Sequence, residues 1–399
     1  MDYLKRAEEL KEEIVRDRRY LHQHPELGCD LPVTSAYVEK RLKEIGLEVS
    51  HCGKYGLTAL VGGKKQGKVL LLRADMDALG MTEESGLDYA SLNPGKAHCC
   101  GHDNHTAMLL GAARLLKETE DELCGTVKLM FQPGEECGTG CLEMLAAGVL
   151  EQPKPDAAMG MHVDAMLPLG TFGYGMDAVF SSNDVFEITV KGISCHGARP
   201  HQGKDPINAA AHIVTALETL IAREADPSQV CILTVGSIES STKAFNIIPD
   251  SVTMKGSIRT YSEHEQKMLV RRTEETVEYI SKAFGCEGIV SWATPMVPLL
   301  VDNTLESEML SYLKAVLGDQ ARVCEQPVRK LGSEDFANLT GRVPSAFFFI
   351  GAGPDREHGG AYSQHNARVV FNEDMLPLGS AAFAGCAAMW LRAHAQAGK

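Results

Sequence analysis

Lys68-Val-Leu-Leu-Leu-Arg73, His105-Thr-Ala-Met-Leu-Leu-Gly-Ala-Ala-Arg-Leu-Leu-Lys117 and Thr126-Val-Lys-Leu-Met-Phe131 follow one another along the chain. The first and third are short apolar runs of the kind that fill a strand buried on both faces. The longer segment between them is strongly helical in pattern. Ala157-Ala-Met-Gly-Met161 repeats the strand character. Strands alternating with helices predict an α/β fold whose sheet is largely parallel and covered on both faces. Outward from this stretch, Leu4, Ala7, Leu10, Ile14 and Leu21 predict one amphipathic helix over 2–22. A helix over 34–45 closes at Gly46, a residue suited to a left-handed C-terminal turn. Further on, a strand at 346–350 and a helix over 378–394 return to the same α/β pattern.

The pattern changes near Ser182. A strand is predicted at 184–193, a helix at 206–223, strands at 230–238 and 251–260, a helix at 263–284 and a strand at 288–292. The order β-α-β-β-α-β is the ferredoxin-like split motif. The residues after 295 are too few to form a core of their own, so the smaller domain is expected as an insertion. The expected catalytic domain is discontinuous, 1–182 with 296–399, and the inserted domain is 183–295.

Size and charge bound the function. The 399 residues exceed the roughly 250–300 at which single cores stop growing. Lys and Arg number 39 against 53 Asp and Glu, a net −14, which argues against a nucleic-acid partner. A small anionic substrate held by one local Arg is compatible with that balance. The opening MDYLKRAEELKEEIVRDRRY has no apolar leader core, and no unbroken apolar run reaches about 18 residues, so no membrane span is expected. The 12 cysteines lack the dense spacing of a disulfide scaffold, which points to free thiols in a reducing cytoplasm.

Polar clusters fall where predicted strands end, which is where parallel α/β sheets bind ligands. They are Arg73-Ala-Asp75-Met-Asp77, His98-Cys-Cys-Gly-His-Asp-Asn-His105, Phe131-Gln-Pro-Gly-Glu-Glu136, Met161-His162, and Tyr362-Ser-Gln-His365 after a glycine-rich loop. Singly, each reads as well as a solvated or core feature. Together, Cys, His and carboxylate groups suit Zn2+, and His with carboxylate also suits Mn2+. No H-E-x-x-H, G-x-S-x-G, Walker A loop or dinucleotide fingerprint is present.

The chain resembles the M20 metallopeptidase superfamily, in its amidohydrolase branch of hippurate, N-acyl-amino-acid and auxin-conjugate hydrolases. The resemblance rests on Arg18-Arg-Tyr-Leu-His-Gln-His-Pro-Glu-Leu-Gly28, Leu72-Arg-Ala-Asp-Met-Asp-Ala-Leu79 and Cys100-Gly-His-Asp-Asn-His-Thr-Ala-Met-Leu109. It continues through Phe131–Glu136, His196-Gly-Ala-Arg-Pro-His201, Asn246-Ile-Ile-Pro249 and Gly332-Ser-Glu-Asp-Phe336. It implies two divalent ions, Mn2+ or Zn2+, in the larger domain. Cys100 is the implied bridging thiolate, with His102, Glu136, His162 and His365 as the other ligands. Glu135 is the implied general base and acid, and Asp77, with Asp75 beside it, orients the ligands. In the smaller, lid and dimerisation domain, His196 is implied to approach the scissile carbonyl, and Asn246 and Arg259 to hold a substrate carboxylate.

The implied reaction is hydrolysis of the amide of an N-acyl or N-aroyl amino acid by a homodimer or homotetramer. A dipeptidase or carboxypeptidase of the same superfamily is the alternative, and a thiol-rich metal-binding protein without catalysis is another. Three departures from the family pattern stand out: Cys99 where Ala is common, Gly134 where Ala is usual, and His365-Asn-Ala-Arg-Val-Val-Phe371 in place of His-x-Pro-Arg-Phe-Asp. Cys137 and Cys141, one helical turn apart, are expected either as small buried residues or as a thiol-rich pocket facing Cys99 and Cys100.

Overall fold

The computed structural model describes residues 1–293, 295–353 and 362–395. The chain separates into two compact units. The larger comprises Met1–Asp177, Leu300–Arg329 and Asn338–Lys399, and the smaller Ala178–Leu299 with Lys330–Ala337. The glycine-rich loop expected before Tyr362 falls at 354–361, outside the described residues.

Among the described residues of the larger unit, eight strands form one sheet. Their spatial order is Val49–His51, Leu57–Gly62, Gly125–Gln132, Lys68–Asp75, Ala157–Asp164, Ser345–Gly351, Thr171–Tyr174 and Arg322–Val323. The centre is parallel, from Gly125–Gln132 across to Ser345–Gly351. Antiparallel pairing enters with Leu57–Gly62 on one side and Thr171–Tyr174 on the other. The central strands are buried along nearly their whole length, which is why they read as continuous apolar runs.

Helices His102–Glu118 and Leu376–Ala393 are buried almost all round, and their apolar side chains lie in the same core, while the polar first turn of the former, 102–106, is buried outside it. The segment Glu373–Ala393 is long and apolar enough to cross a membrane, yet it is mostly buried inside its own unit. The predicted helix over 2–22 is two helices, Tyr3–Glu9 and Lys11–Gln23. The break falls at Leu10, whose N–H is shared between the carbonyls of Arg6 and Ala7, a tightened last turn. Leu10 remains in the core on either side of that break.

In the smaller unit the sheet order is Cys231–Ser240, Ser251–Thr260, Asp184–Lys191 and Glu287–Trp292, antiparallel throughout. Helices Pro206–Arg223 and Glu263–Ala283 start at side-chain caps from Asp205 and Ser262. Alternate residues Phe186, Ile188 and Val190 are buried against these helices, as are Val252, Met254 and Ile258. This is the predicted β-α-β-β-α-β sandwich. The unit also takes in Lys330–Ala337, beyond the 183–295 expected. Lys330 N–H donates to the Val179 carbonyl at 2.8 Å, and Ser181 Oγ donates to the carbonyls of Leu331 and Gly332.

Candidate metal centre

Strand register assembles the polar residues of the larger unit. Asp75 pairs with Gln132, so Lys68–Asp75 and Gly125–Gln132 end level with each other. Asp77 and the pair Glu135-Glu136 therefore emerge side by side. Arg73 pairs with Gly160 on the neighbouring strand, which puts His162 two residues further on at the level of Asp75. Cys100 and His102 flank Gly101, whose φ of +103° starts helix His102–Glu118. A Cβ at Gly101 would lie 2.4 Å from Val163 Cγ2, so only glycine lets the helix start there.

Of the trios of candidate donors among the described residues, two share Cys100, and others join His102 to Asp75 and His105 and to Glu135 and Glu136. Cys100, His102 and His162 make one of the two, and Cys100, Glu136 and His365 the other, each with its donor atoms within 4.8 Å of one another. Cys100 Sγ lies 3.5 Å from His162 Nε2. His365 Nε2 lies 3.4 Å from Glu136 Oε1, and His102 Nε2 lies 3.9 Å from that same oxygen. His365 has φ +63° and donates its backbone N–H to the Cys99 carbonyl at 2.9 Å, which fixes this half-exposed ring from its own main chain. Its supporting loop therefore differs in sequence while the ring still reaches Glu136.

The donor set fits divalent ions on two grounds. First, both ring nitrogens of His102 and Glu136 Oε1 are buried without a hydrogen bond, a costly arrangement unless a ligand completes it. Second, the charges are unbalanced. Burial pushes the Cys100 thiol well above its ordinary pKa, so a thiolate there needs a cation beside it. Burial also works against a charged His102, but Asp75 foremost among its neighbours raises its pKa. Burial opposes ionised Glu136 too, yet His365 and His102 hold its pKa below the ordinary value. His162 donates Nδ1–H to the Val163 carbonyl at 2.6 Å, and burial lowers its pKa to about 4, so Nε2 carries a lone pair towards Cys100.

Asp77 ties the set together. Its Oδ1 accepts the Glu135 N–H at 3.0 Å and its Oδ2 accepts the Glu136 N–H at 3.1 Å. Oδ1 also lies 3.4 Å from His102 Nδ1. Asp75 serves differently: Oδ1 meets His105 Nδ1 at 2.5 Å and Oδ2 meets the buried Arg73 guanidinium at 2.8 Å. His105 Nε2 accepts the Val163 N–H at 2.8 Å. Both ring nitrogens of His105 are thus engaged, and it braces the His162 strand rather than offering a donor.

A charged support lies behind the ligands. Asp103, next to His102, meets the fully buried Arg18 at 2.8 Å and His22 at 2.8 Å, and His22 reaches Glu83 at 3.0 Å. These roles were not predicted, although Arg18 and His22 sit in a quoted motif and a buried Arg needs an acidic partner. The Cys137 sulfur lies against that of Cys29. All 12 cysteines are free thiols.

The three residues expected at the substrate belong to the smaller unit. His196 pairs with Ile247 across a two-stranded ribbon, and Gly197 N–H donates to the Asn246 carbonyl at 2.8 Å, so His196 and Asn246 are neighbours. His196 Nδ1 accepts the Ala198 N–H at 3.0 Å, which leaves the ring proton on Nε2. Arg259 stands on a separate strand and donates Nη1–H to the Leu331 carbonyl at 3.0 Å.

Residues 71–388 match the profile of peptidase family M20/M25/M40. The N-acetyl-L-cysteine deacetylase of Bacillus subtilis is 36% identical over 353 residues, 87% of this chain and 82% of its own. Thermostable carboxypeptidase 2 of Saccharolobus solfataricus is 35% identical over 385 residues, 95% of each chain. The crystal structure of the YXEP protein of Bacillus subtilis, a dinuclear metal-binding peptidase of the M20 family, superposes with a TM-score of 0.82. It is 30% identical and the match covers 96% of this chain and 99% of that one.

Proposed function

The chain belongs to peptidase family M20/M25/M40, and we propose that its reaction is hydrolysis of the amide of N-acyl or N-aroyl amino acids to a carboxylic acid and a free amino acid. The observation that carries this reading is the pair of donor trios meeting at Cys100, with Glu135 on the adjoining turn. Cys100, His102 and His162 would hold one divalent ion, and Cys100, Glu136 and His365 the other, with Mn2+ or Zn2+ suiting these donors. When bound, such a pair acidifies water, polarises an amide carbonyl and offsets the charge developing on its oxygen.

The chain's own residues do the rest. Glu135 is the general base: it takes the proton from the attacking water and delivers it to the departing amide nitrogen, so one carboxyl serves twice. Its backbone is fixed by Asp77, so the carboxyl is held beside the ligands, with Oε2 4.0 Å from His102 Nε2. We assign Arg259 and Asn246 to the substrate carboxylate, since a guanidinium fork matches a carboxylate, and His196 to the carbonyl that is cleaved. The deacetylase and carboxypeptidase names among the relatives share one chemical element: an amide whose nitrogen belongs to an amino acid. That common element supports the substrate class. A homodimer or homotetramer through the smaller unit is the assembly we propose.

The test is a panel of N-acetyl, N-benzoyl, indole-acetyl and long-chain acyl amino acids, assayed with Mn2+ and with Zn2+. Release of the amino acid is expected, with cleavage weakened when the α-carboxylate is esterified. Full activity after complete metal removal, or no release from any member, would overturn the reading.

A further inference from the structure

Two thiols that amide hydrolysis does not use meet at the turn that presents Glu135 and Glu136, one of them on the turn itself. Cys29 Sγ and Cys137 Sγ stand 3.8 Å apart. Thr139 Oγ1 lies 3.4 Å from the first and 3.0 Å from the second. Cys137 directly follows Glu136, whereas Cys29 lies between helices Lys11–Gln23 and Pro32–Ile45. Cys137 is exposed and Cys29 half-buried, so a small solute reaches the pair from the Cys137 side. Gly134 makes room for them. It has φ +65°, and a Cβ there would lie 2.3 Å from Cys29 Sγ and 3.2 Å from Cys137 Sγ. The sulfurs occupy space that a side chain at 134 would claim.

We propose that Cys29 and Cys137 are a modification site that a low-molecular-weight disulfide converts to a Cys29–Cys137 disulfide, reversibly switching off the adjoining carboxylates. The Cys137 thiolate attacks one sulfur of the small disulfide, breaks its S–S bond and releases one thiolate, which takes up the proton lost by Cys137. The Cys29 thiolate then attacks Cys137 Sγ, expels the second small thiolate and gives it the second proton. Two protein thiols lose two electrons and two protons, and one small disulfide becomes two thiols. The sulfurs must close from 3.8 Å to about 2.05 Å. Cys137 is drawn across Gly134, and Glu136, its neighbour, moves with it. Metal–ligand distances in well-formed sites agree to within about 0.2 Å, and disturbed support of a ligand costs about 10–100-fold in affinity or activity.

The metal-loaded full chain is treated with oxidised glutathione, alkylated differentially and mapped by peptide mass. A linked Cys29–Cys137 peptide that dithiothreitol removes is expected, with turnover about 10–100-fold lower in the oxidised protein and restored on reduction. Cys137→Ser is expected to keep the reduced turnover and to resist the oxidant, whereas Cys29→Ser is expected to give no linked peptide and to stop at a mixed disulfide on Cys137 that dithiothreitol removes. Both thiols still alkylatable after treatment, unchanged turnover in the linked protein, or a folded Cys137→Ser as sensitive to the oxidant as the wild type would each overturn the proposal. The turnover arm rests on the hydrolase reading and the mapping arm does not, so absence of hydrolysis in both redox states counts against that reading alone.

Discussion

Asp77 Oδ1 accepts the backbone N–H of Glu135 at 3.0 Å, and the same carboxylate accepts the next N–H with its other oxygen. A side chain that is wholly buried thus fixes the turn carrying both glutamates and also faces His102 Nδ1. Asp77→Asn tests this arrangement. The amide offers one acceptor and an NH2 group that opposes the second N–H. Metal affinity and turnover are expected to fall about 10–100-fold with little loss of folding. Isothermal titration with Mn2+ beside a thermal melt checks it, and unchanged affinity would remove Asp77 from the support.

Cys100 belongs to two of the donor trios. Cys100→Ala is therefore expected to lower metal content at both positions, because neither remaining pair is a full set. Elemental analysis after dialysis measures it. Wild-type metal content in that variant would show that the thiolate does not bridge.

Arg18 and Asp103 are both fully buried and paired at 2.8 Å. Removing one partner of such a pair costs about 3–5 kcal/mol, since the other charge is stranded. Arg18→Met should destabilise the larger unit by that order in a denaturant titration, and a change below about 1 kcal/mol would contradict the pairing.

Stability should also depend on pH through His22. Burial and Arg18 oppose its charge, but Asp103 and Glu83 raise its pKa above the ordinary value. Its contribution is complete below an unfolded pKa of about 6.5 and is lost as pH rises through the folded value. Burial opposes the charge on Glu83 as well, yet His22 and its other hydrogen bonds lower its pKa to about 2. The Glu83 contribution is present above an unfolded pKa of about 4.3 and is lost as pH falls towards 2. The contribution of the His22–Glu83 pair itself should thus be greatest between about pH 5 and 6.5. His22→Gln should flatten the alkaline decline, and an unchanged slope would refute the link.

How much of this was legible depends on what each residue's signal reports. Period and buried runs report backbone state, so 206–223 and 251–260 are found at the predicted bounds. Helix Asn303–Leu317 was missed although its signal was present, with Asp302 capping and Leu305, Met309, Leu313 and Leu317 at helical spacing. Leu57–Gly62 was missed because six residues between turns give little period to read. At the site, residue types and strand ends pointed to the polar clusters, and the family resemblance to the individual candidate ligands. Whether a histidine is a ligand or a brace is set by partners distant in sequence. By residue type His105 is as eligible as His102, but both its nitrogens are engaged, by Asp75 and Val163. Likewise the placement of Cys137 against Cys29 spans 108 positions and leaves no local mark.

The central claim is that Glu135 moves the proton while other side chains hold the metals. Turnover and metal content measured together on Glu135→Gln test it most directly. The account predicts two divalent ions per chain, as in wild type, and turnover lower by about 10²–10⁴-fold, the range of general acid–base catalysis. A wild-type rate in that variant would contradict it.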